Sequence, residues 1–204
     1  MAPIAGAGGD DSSVETNGSL DAALSRARDG SEAAFEVLWT ELQPRLLRYL
    51  RVKARDIAED VAAETWLQVV RDLDRFNGDA DAFRAWLFTV ARNRAVDAAR
   101  ARRARPVHLL ADVPELPRVQ AESAETQALE RVSTERALAL VASLPSEQAE
   151  MVALRVIAGL DVAAVARIVG KSPGAVRVSV HRGLRVLSRT VDLSSYDQMS
   201  AEVV

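Results

Sequence analysis

The chain has 204 residues, about half of them apolar, a net charge of −3 and no cysteine. This length predicts one or two small domains, and the missing cysteine excludes a disulfide framework, a thiolate metal site and a cysteine nucleophile, which suits a reducing cytosol. No apolar run approaches the roughly 18 residues that span a bilayer, and the N-terminus lacks the basic start and apolar core of a signal peptide, so a cytoplasmic protein without membrane insertion is expected.

Residues 1–18 are rich in Gly, Ala, Ser and Asp without apolar period and predict a disordered tail. A short helix over 21–28 is expected to end at Asp29-Gly30. Ser31 then caps a longer helix whose Phe35, Leu38, Trp39, Leu42, Leu46, Leu47 and Leu50 keep helical spacing, with Pro44 predicting a kink or restart. The next helix begins near Asp56 or Ile57 and runs towards Phe76. It gathers Ala62, Trp66, Val69, Val70 and Leu73 on one side and Asp60, Glu64, Gln68 and Arg71 on the other. After the turn Asn77-Gly78-Asp79, Asp81 can cap a helix with Phe83, Trp86, Leu87 and Val90 in its first half and a basic second half that stops at Pro106.

Three prolines and no sustained period mark residues 106–124 as a flexible linker. Helical spacing returns over 125–143, and Leu144-Pro145-Ser146-Glu147 ends that helix and caps the next, over 148–158. Val162, Val165, Ala166 and Val169 then recur at i, i+3, i+4 and i+7 behind a possible cap, Asp161. Gly170 supplies a left-handed stop, and Ser172-Pro173 starts another helix at once. That last helix places Val176, Val180, Gly183, Leu184 and Leu187 on one side and Gly174, Arg177, Val178, His181, Arg182, Arg185 and Arg189 on the other. Two helices joined by a short glycine-containing turn, the second basic outside, read as a helix-turn-helix. The fold class expected is all-α: two small helical domains joined by a flexible linker, with frayed residues 191–204 at the end.

Charge is unevenly spread. Residues 82–107 carry seven Arg against the single acid Asp97, residues 162–189 carry six Lys and Arg against none, and residues 1–61 carry eleven acids against seven bases. A solvated face ordinarily mixes both signs, so two basic blocks in an acidic chain point to nucleic acid.

The segments AEDVAAETW at 58–66, WLFTVARNRAVD at 86–97, LPSEQAEMVALR at 144–155 and the helix-turn-helix with VHRGL at 180–184 stand in one order around the proline-rich linker. Together they resemble bacterial RNA polymerase sigma factors of the extracytoplasmic-function group, over roughly residues 20–190. The resemblance implies sigma domain 2 over 19–105, which docks on core polymerase and melts the minus-ten element, and sigma domain 4 over 125–190, which reads the minus-thirty-five element. It implies that Asp60, Glu64, Gln68 and Arg71 meet the β′ clamp coiled coil, with the β flap as a further polymerase contact. Asp74, Asn77, Asp79, Arg84, Asn93, Arg94, Asp97 and Arg100 are implied at the minus-ten strand. Ser172, Gly174, Arg177, Val178, His181, Arg182 and Arg185 are implied at the minus-thirty-five duplex. A base drawn out of its stack must be held by polar groups and a ring, for which Trp86 is the available aromatic, although core packing is its ordinary role. Ala164, Ser179 and Leu184 stand where many members carry Glu or Arg, which leaves the exact minus-thirty-five sequence open.

An enzyme finds little support. His108 and His181 are the only histidines, no Glu-x-x-His pair occurs, and there is neither a Gly-rich phosphate loop nor a nucleophile elbow. Glu59, Asp60 and Glu64 cluster, but a wet acidic face or protein interface is the ordinary meaning of such a cluster. No catalytic residue, metal or cofactor is therefore expected. An operator-binding regulator with a helical sensor domain is the other alternative. It would bind duplex DNA tightly alone, whereas a sigma factor does so as part of holoenzyme. With no sensor domain and no cysteine, control is expected from an anti-sigma partner that covers both domains and uses the flexible linker 106–124 to hold them in an arrangement polymerase cannot accept.

Overall fold

The computed structural model of the chain describes residues 11–104 and 124–201, and among them every regular element is helical. The helices are α1 (Asp11–Arg28), α2 (Glu32–Lys53), α3 (Ala58–Asp72), α4 (Ala80–Ala104), α5 (Ala124–Ala142), α6 (Ser146–Val152), α7 (Val162–Val169) and α8 (Pro173–Ala201). Single 3-10 turns at Arg55–Ile57 and Leu73–Arg75 flank α3. The tail over 1–10 and most of the expected linker lie outside the described residues.

Local chemistry accounts for most boundaries. Ser31 Oγ accepts from Ala34 N at 3.3 Å and opens α2. Asp161 Oδ1 does the same for Ala164 N at 2.6 Å, and Ser172 Oγ for Ala175 N at 3.2 Å. Gly170 stands at φ +69°, the left-handed position that closes α7. The start of α4 differs from expectation. Asp79, not Asp81, caps it by accepting from Ala82 N at 2.8 Å, and Asp21 of α1 accepts from Ala80 N at 2.6 Å. One helix start is thus satisfied partly by a side chain 59 residues away. Likewise Ser146 is the first residue of α6 and makes no capping bond.

Three further expectations are corrected. α1 begins at Asp11 rather than Asp21, because Gly18 weakens a helix without stopping it. α8 continues to Ala201, since no Gly or Pro follows Gly183 to end it. Pro44 lies inside an unbroken α2: it is exposed, while Leu38, Leu42, Leu46, Tyr49 and Leu50 bury the opposite stripe on both sides of it. That packing outweighs one missing hydrogen bond.

α1 to α4 form a bundle in which α2 packs against α1, α3 and α4. In the second half α6 and α7 both pack on α8. The halves also meet, α2 lying against α5 and α6 and α4 against α7, so that one buried cluster continues from Leu20 to Val176. After α6 the chain loosens into a π-turn over Ala153–Ile157, where Ala158 N donates to Ala153 O at 3.0 Å.

Gly183 sets how closely α8 approaches α6. A Cβ there would lie 2.7 Å from Val152 Cγ2 and 3.3 Å from Leu144 Cδ1, and Val152 is itself buried and stiff at χ1. Gly183→Ala is therefore expected to destabilise the second half by about 1–3 kcal/mol, despite alanine's better helix propensity. Thermal unfolding checks this; an unchanged or raised midpoint would show that the two helices can part at no cost.

Candidate nucleic-acid interface

The acidic stripe of α3 faces outward. Asp60, Glu64 and Arg71 are exposed and Gln68 is half-buried, while Val61, Thr65, Trp66 and Val69 turn inward. Trp66 is fixed there by its Nε1, which donates to Gln43 Oε1 at 2.6 Å, and by Phe35 packed edge-on. Val70, expected inside, is 57% exposed, and Leu67 beside it is 63% exposed. The outer face of α3 is therefore mixed, with apolar side chains set among the acids, which suits a protein partner better than a purely solvated stripe.

This stripe is joined to the basic helix. Arg94 of α4 donates through Nε and Nη2 to Gln68 Oε1 at 3.1 and 3.0 Å, and its Nη1 lies 3.9 Å from Glu64 Oε2. Asn93, Asp97 and Arg100 are exposed along α4, with Arg100 Nη1 3.5 Å from Asp97 Oδ1. Exposed pairs of this kind contribute about 0–1 kcal/mol, so their cations can be re-partnered by phosphate at little cost.

Asp74, Asn77 and Asp79 are exposed on the connection between α3 and α4. Between them in the chain, Phe76 stacks on Trp86 of α4, ring centroids 5.1 Å apart and planes 23° apart, and Phe83 meets Phe76 edge-on at 5.5 Å. Trp86 is half-buried in this cluster. Phe76 escaped sequence reasoning because it stands alone between two turns, outside any periodic stripe. Arg84 stands apart from the other candidates: it is only 8% exposed, and its Nη1 donates to Asp81 Oδ1 at 2.9 Å. It faces the interior because it follows Phe83 on the inner side of the first turns of α4.

On α8 the candidate face is intact. Ser172, Gly174, Arg177, Val178, His181, Arg182 and Arg185 are all exposed, and none of these three arginines has an ion pair among the described residues. Behind them Val176 is fully buried and Gln148 Nε2 donates to Ser179 O at 3.2 Å, which pins the helix to α6. Leu184, expected on the buried side, is 43% exposed, so the outer surface of α8 carries an apolar side chain next to Arg185. Among the described residues no helix is long and apolar enough to cross a membrane.

The order of an acidic helix, a basic helix and a terminal helix-turn-helix is matched by known families. Residues 38–105 match the model described as Sigma-70 region 2, and residues 134–187 that described as Sigma-70, region 4. The chain is 32% identical over 174 residues to the ECF RNA polymerase sigma factor ShbA of Streptomyces griseus, covering 81% of this chain and 91% of that one. This chain is an ECF sigma factor of the sigma-70 family. It is also 34% identical over 178 residues to SigD of Mycobacterium tuberculosis, covering 82% of each chain. With BldN of Streptomyces coelicolor it shares 34% identity over 168 residues, 81% of this sigma factor but only 63% of the length of BldN. Among solved structures, CnrH in complex with the cytosolic domain of CnrY superposes with a TM-score of 0.58 at 22% identity, covering 86% of this sigma factor and 98% of that chain. RpoE of Bartonella quintana in complex with the anti-sigma factor NepR gives 0.53 at 21%, covering 78% and 96%. Both likenesses concern the fold. As a sigma factor the protein acts on core RNA polymerase and promoter DNA in transcription initiation.

Proposed function

We propose that this sigma factor docks on core polymerase through the outer face of α3, holds the melted minus-ten strand between the 74–79 connection and the exposed side of α4, and reads the minus-thirty-five duplex with α8. The observation that carries this reading is the separation of surfaces: a mixed acidic and apolar face on α3, and basic faces on α4 and α8 with no acid on the reading face of α8. Domain 2 over 19–105 and domain 4 over 125–190 are the units that divide this work, in the cytoplasm and without catalysis. Asn93, Arg94, Asp97 and Arg100 face a strand laid along α4, with the Phe76–Trp86 stack at the connection offering a ring to an unstacked base. Arg84 supports that helix from inside through Asp81 rather than touching the strand.

An anti-sigma protein is the partner that holds the activity in check, by covering the same α3 stripe; the relative from Bartonella quintana was crystallised with such a factor. Occlusion of that kind is competitive, so raising core polymerase relieves it.

The docking assignment is checked by reversing Asp60 and Glu64 to lysine together. Both side chains are exposed and the contact of Glu64 with Arg94 is long, so the domain should stay folded, with a loss of about 1 kcal/mol from placing a cation in the first turn of α3. Affinity for core polymerase is expected to fall at least tenfold, through like-charge repulsion and loss of complementarity. Unchanged capture of the reversed variant by core enzyme would remove α3 from the interface.

A further inference from the structure

Glu150 of α6 is buried, 6% exposed, at the seam between the two helical halves. Its Oε1 accepts from Arg92 Nε of α4 at 2.8 Å, its Oε2 lies 2.8 Å from Lys53 Nζ at the end of α2, and the Tyr49 hydroxyl points at Oε1 from 3.4 Å. Among the described residues Lys53 and Arg92 make no other ion pair. Burial, reinforced by the neighbouring carboxylate, holds the Tyr49 phenol well above its ordinary pKa although Arg92 pulls the other way, so the hydroxyl stays protonated and donates. One carboxylate from the second half thus satisfies three donors of the first.

We propose that Glu150 is an intramolecular latch: seated among Lys53, Arg92 and Tyr49, it locks the two domains of the free sigma factor in a compact form that cannot engage both promoter elements at once. The consequence for promoters rests on the function proposed above; the closure itself does not. Two elements about 25 base pairs apart are separated by about 85 Å at 3.4 Å per pair. A compact chain of 204 residues has a radius of gyration of about 17 Å, hence a width of about 45 Å, so reading both elements requires the halves to part. Chain length permits this, because the 19 residues 105–123 can reach about 65 Å when extended.

A buried ion cluster suits such a device for a physical reason. Intact, it contributes little net stability, because desolvation offsets the attraction; with one partner removed, the remaining buried charges are strongly unfavourable. It therefore specifies the closed arrangement without making it permanent. Arg51 and Glu135 also bridge α2 and α5 at 2.8 Å, but both are exposed and add little to the closure.

The test uses the full chain, which has no native cysteine, with spin labels on cysteines placed at the exposed Ser25 and Ser188. The parent chain is expected to give one narrow distance distribution, shorter than that of the opened variants. Glu150→Gln leaves two cations facing each other without a counter-charge, and the open fraction is expected to rise at least tenfold with unchanged helicity. Arg92→Met opens the chain from the other side and decides the matter if Glu150→Gln fails to fold. Combining the two should add nothing beyond the larger single effect, because both break the same cluster. A narrow, parent-like distance in the folded variants, or a parent chain that is already broadly open, would overturn the proposal. Because distances are read on the free chain, this outcome is independent of whether polymerase docks on α3.

Discussion

Replacing Phe88 by alanine is expected to lower stability by about 3–5 kcal/mol, the range for emptying a large aromatic site in a close-packed core. Phe88 of α4 is fully buried and meets Tyr49 of α2 edge to face, ring centroids 5.4 Å apart and planes 81° apart. The cavity would open between the two helices that organise the first half, and Tyr49 would lose the ring that orients its hydroxyl towards Glu150. Against a typical total of 5–15 kcal/mol such a loss leaves a large unfolded fraction near physiological temperature. Denaturant unfolding of the parent, Phe88→Ala and Phe88→Leu chains checks this, with the leucine variant keeping most of the volume and most of the stability. A loss below about 1 kcal/mol in Phe88→Ala would mean that the surrounding helices collapse into the space.

The second large effect is expected at α8. An arginine that reads a base edge contributes about 1–3 kcal/mol of discrimination, so its replacement by alanine should relax the promoter preference at one position. An arginine on phosphate should instead weaken all sequences alike and reduce the salt slope by about one ion. Arg177, Arg182 and Arg185 are exposed and unpaired among the described residues, so truncating them disturbs no internal contact. All three together should reduce transcription from a minus-thirty-five-dependent promoter by about two orders of magnitude or more, even if Arg182 and Arg185, one turn apart, do not act additively. Val178 between them is exposed and can touch a thymine methyl, so Val178→Ala should cost selectively where thymine is preferred. Holoenzyme transcribing a panel of promoter variants equally well with and without the three arginines would show that this face is only solvated.

Sequence by itself determined the helices, their order and the helix-turn-helix, because these depend on neighbours within about four residues. Asp161, Gly170 and Ser172 act on the backbone beside them, and each stands in the structure as its type requires. The basic face of the helix-turn-helix was equally legible, since residues 162–189 carry six Lys and Arg without one acid, a local charge pattern. Periodicity was less reliable about which apolar side chains are buried: Val70 and Leu184 fit an inward stripe yet lie outside, because a helix covers only as much of its surface as its partners reach. The cap on α4 from Asp21 and the inward position of Arg84 were likewise decided by the fold. Glu150 shows the limit most clearly. Nothing in the periodicity of α6 singles it out, because its partners Arg92 and Tyr49 lie 58 and 101 residues earlier. Only the tertiary structure, by pressing α6 against α2 and α4 and excluding water between them, makes that carboxylate a joint between the two halves, since a charge left in water would have needed no partner at all.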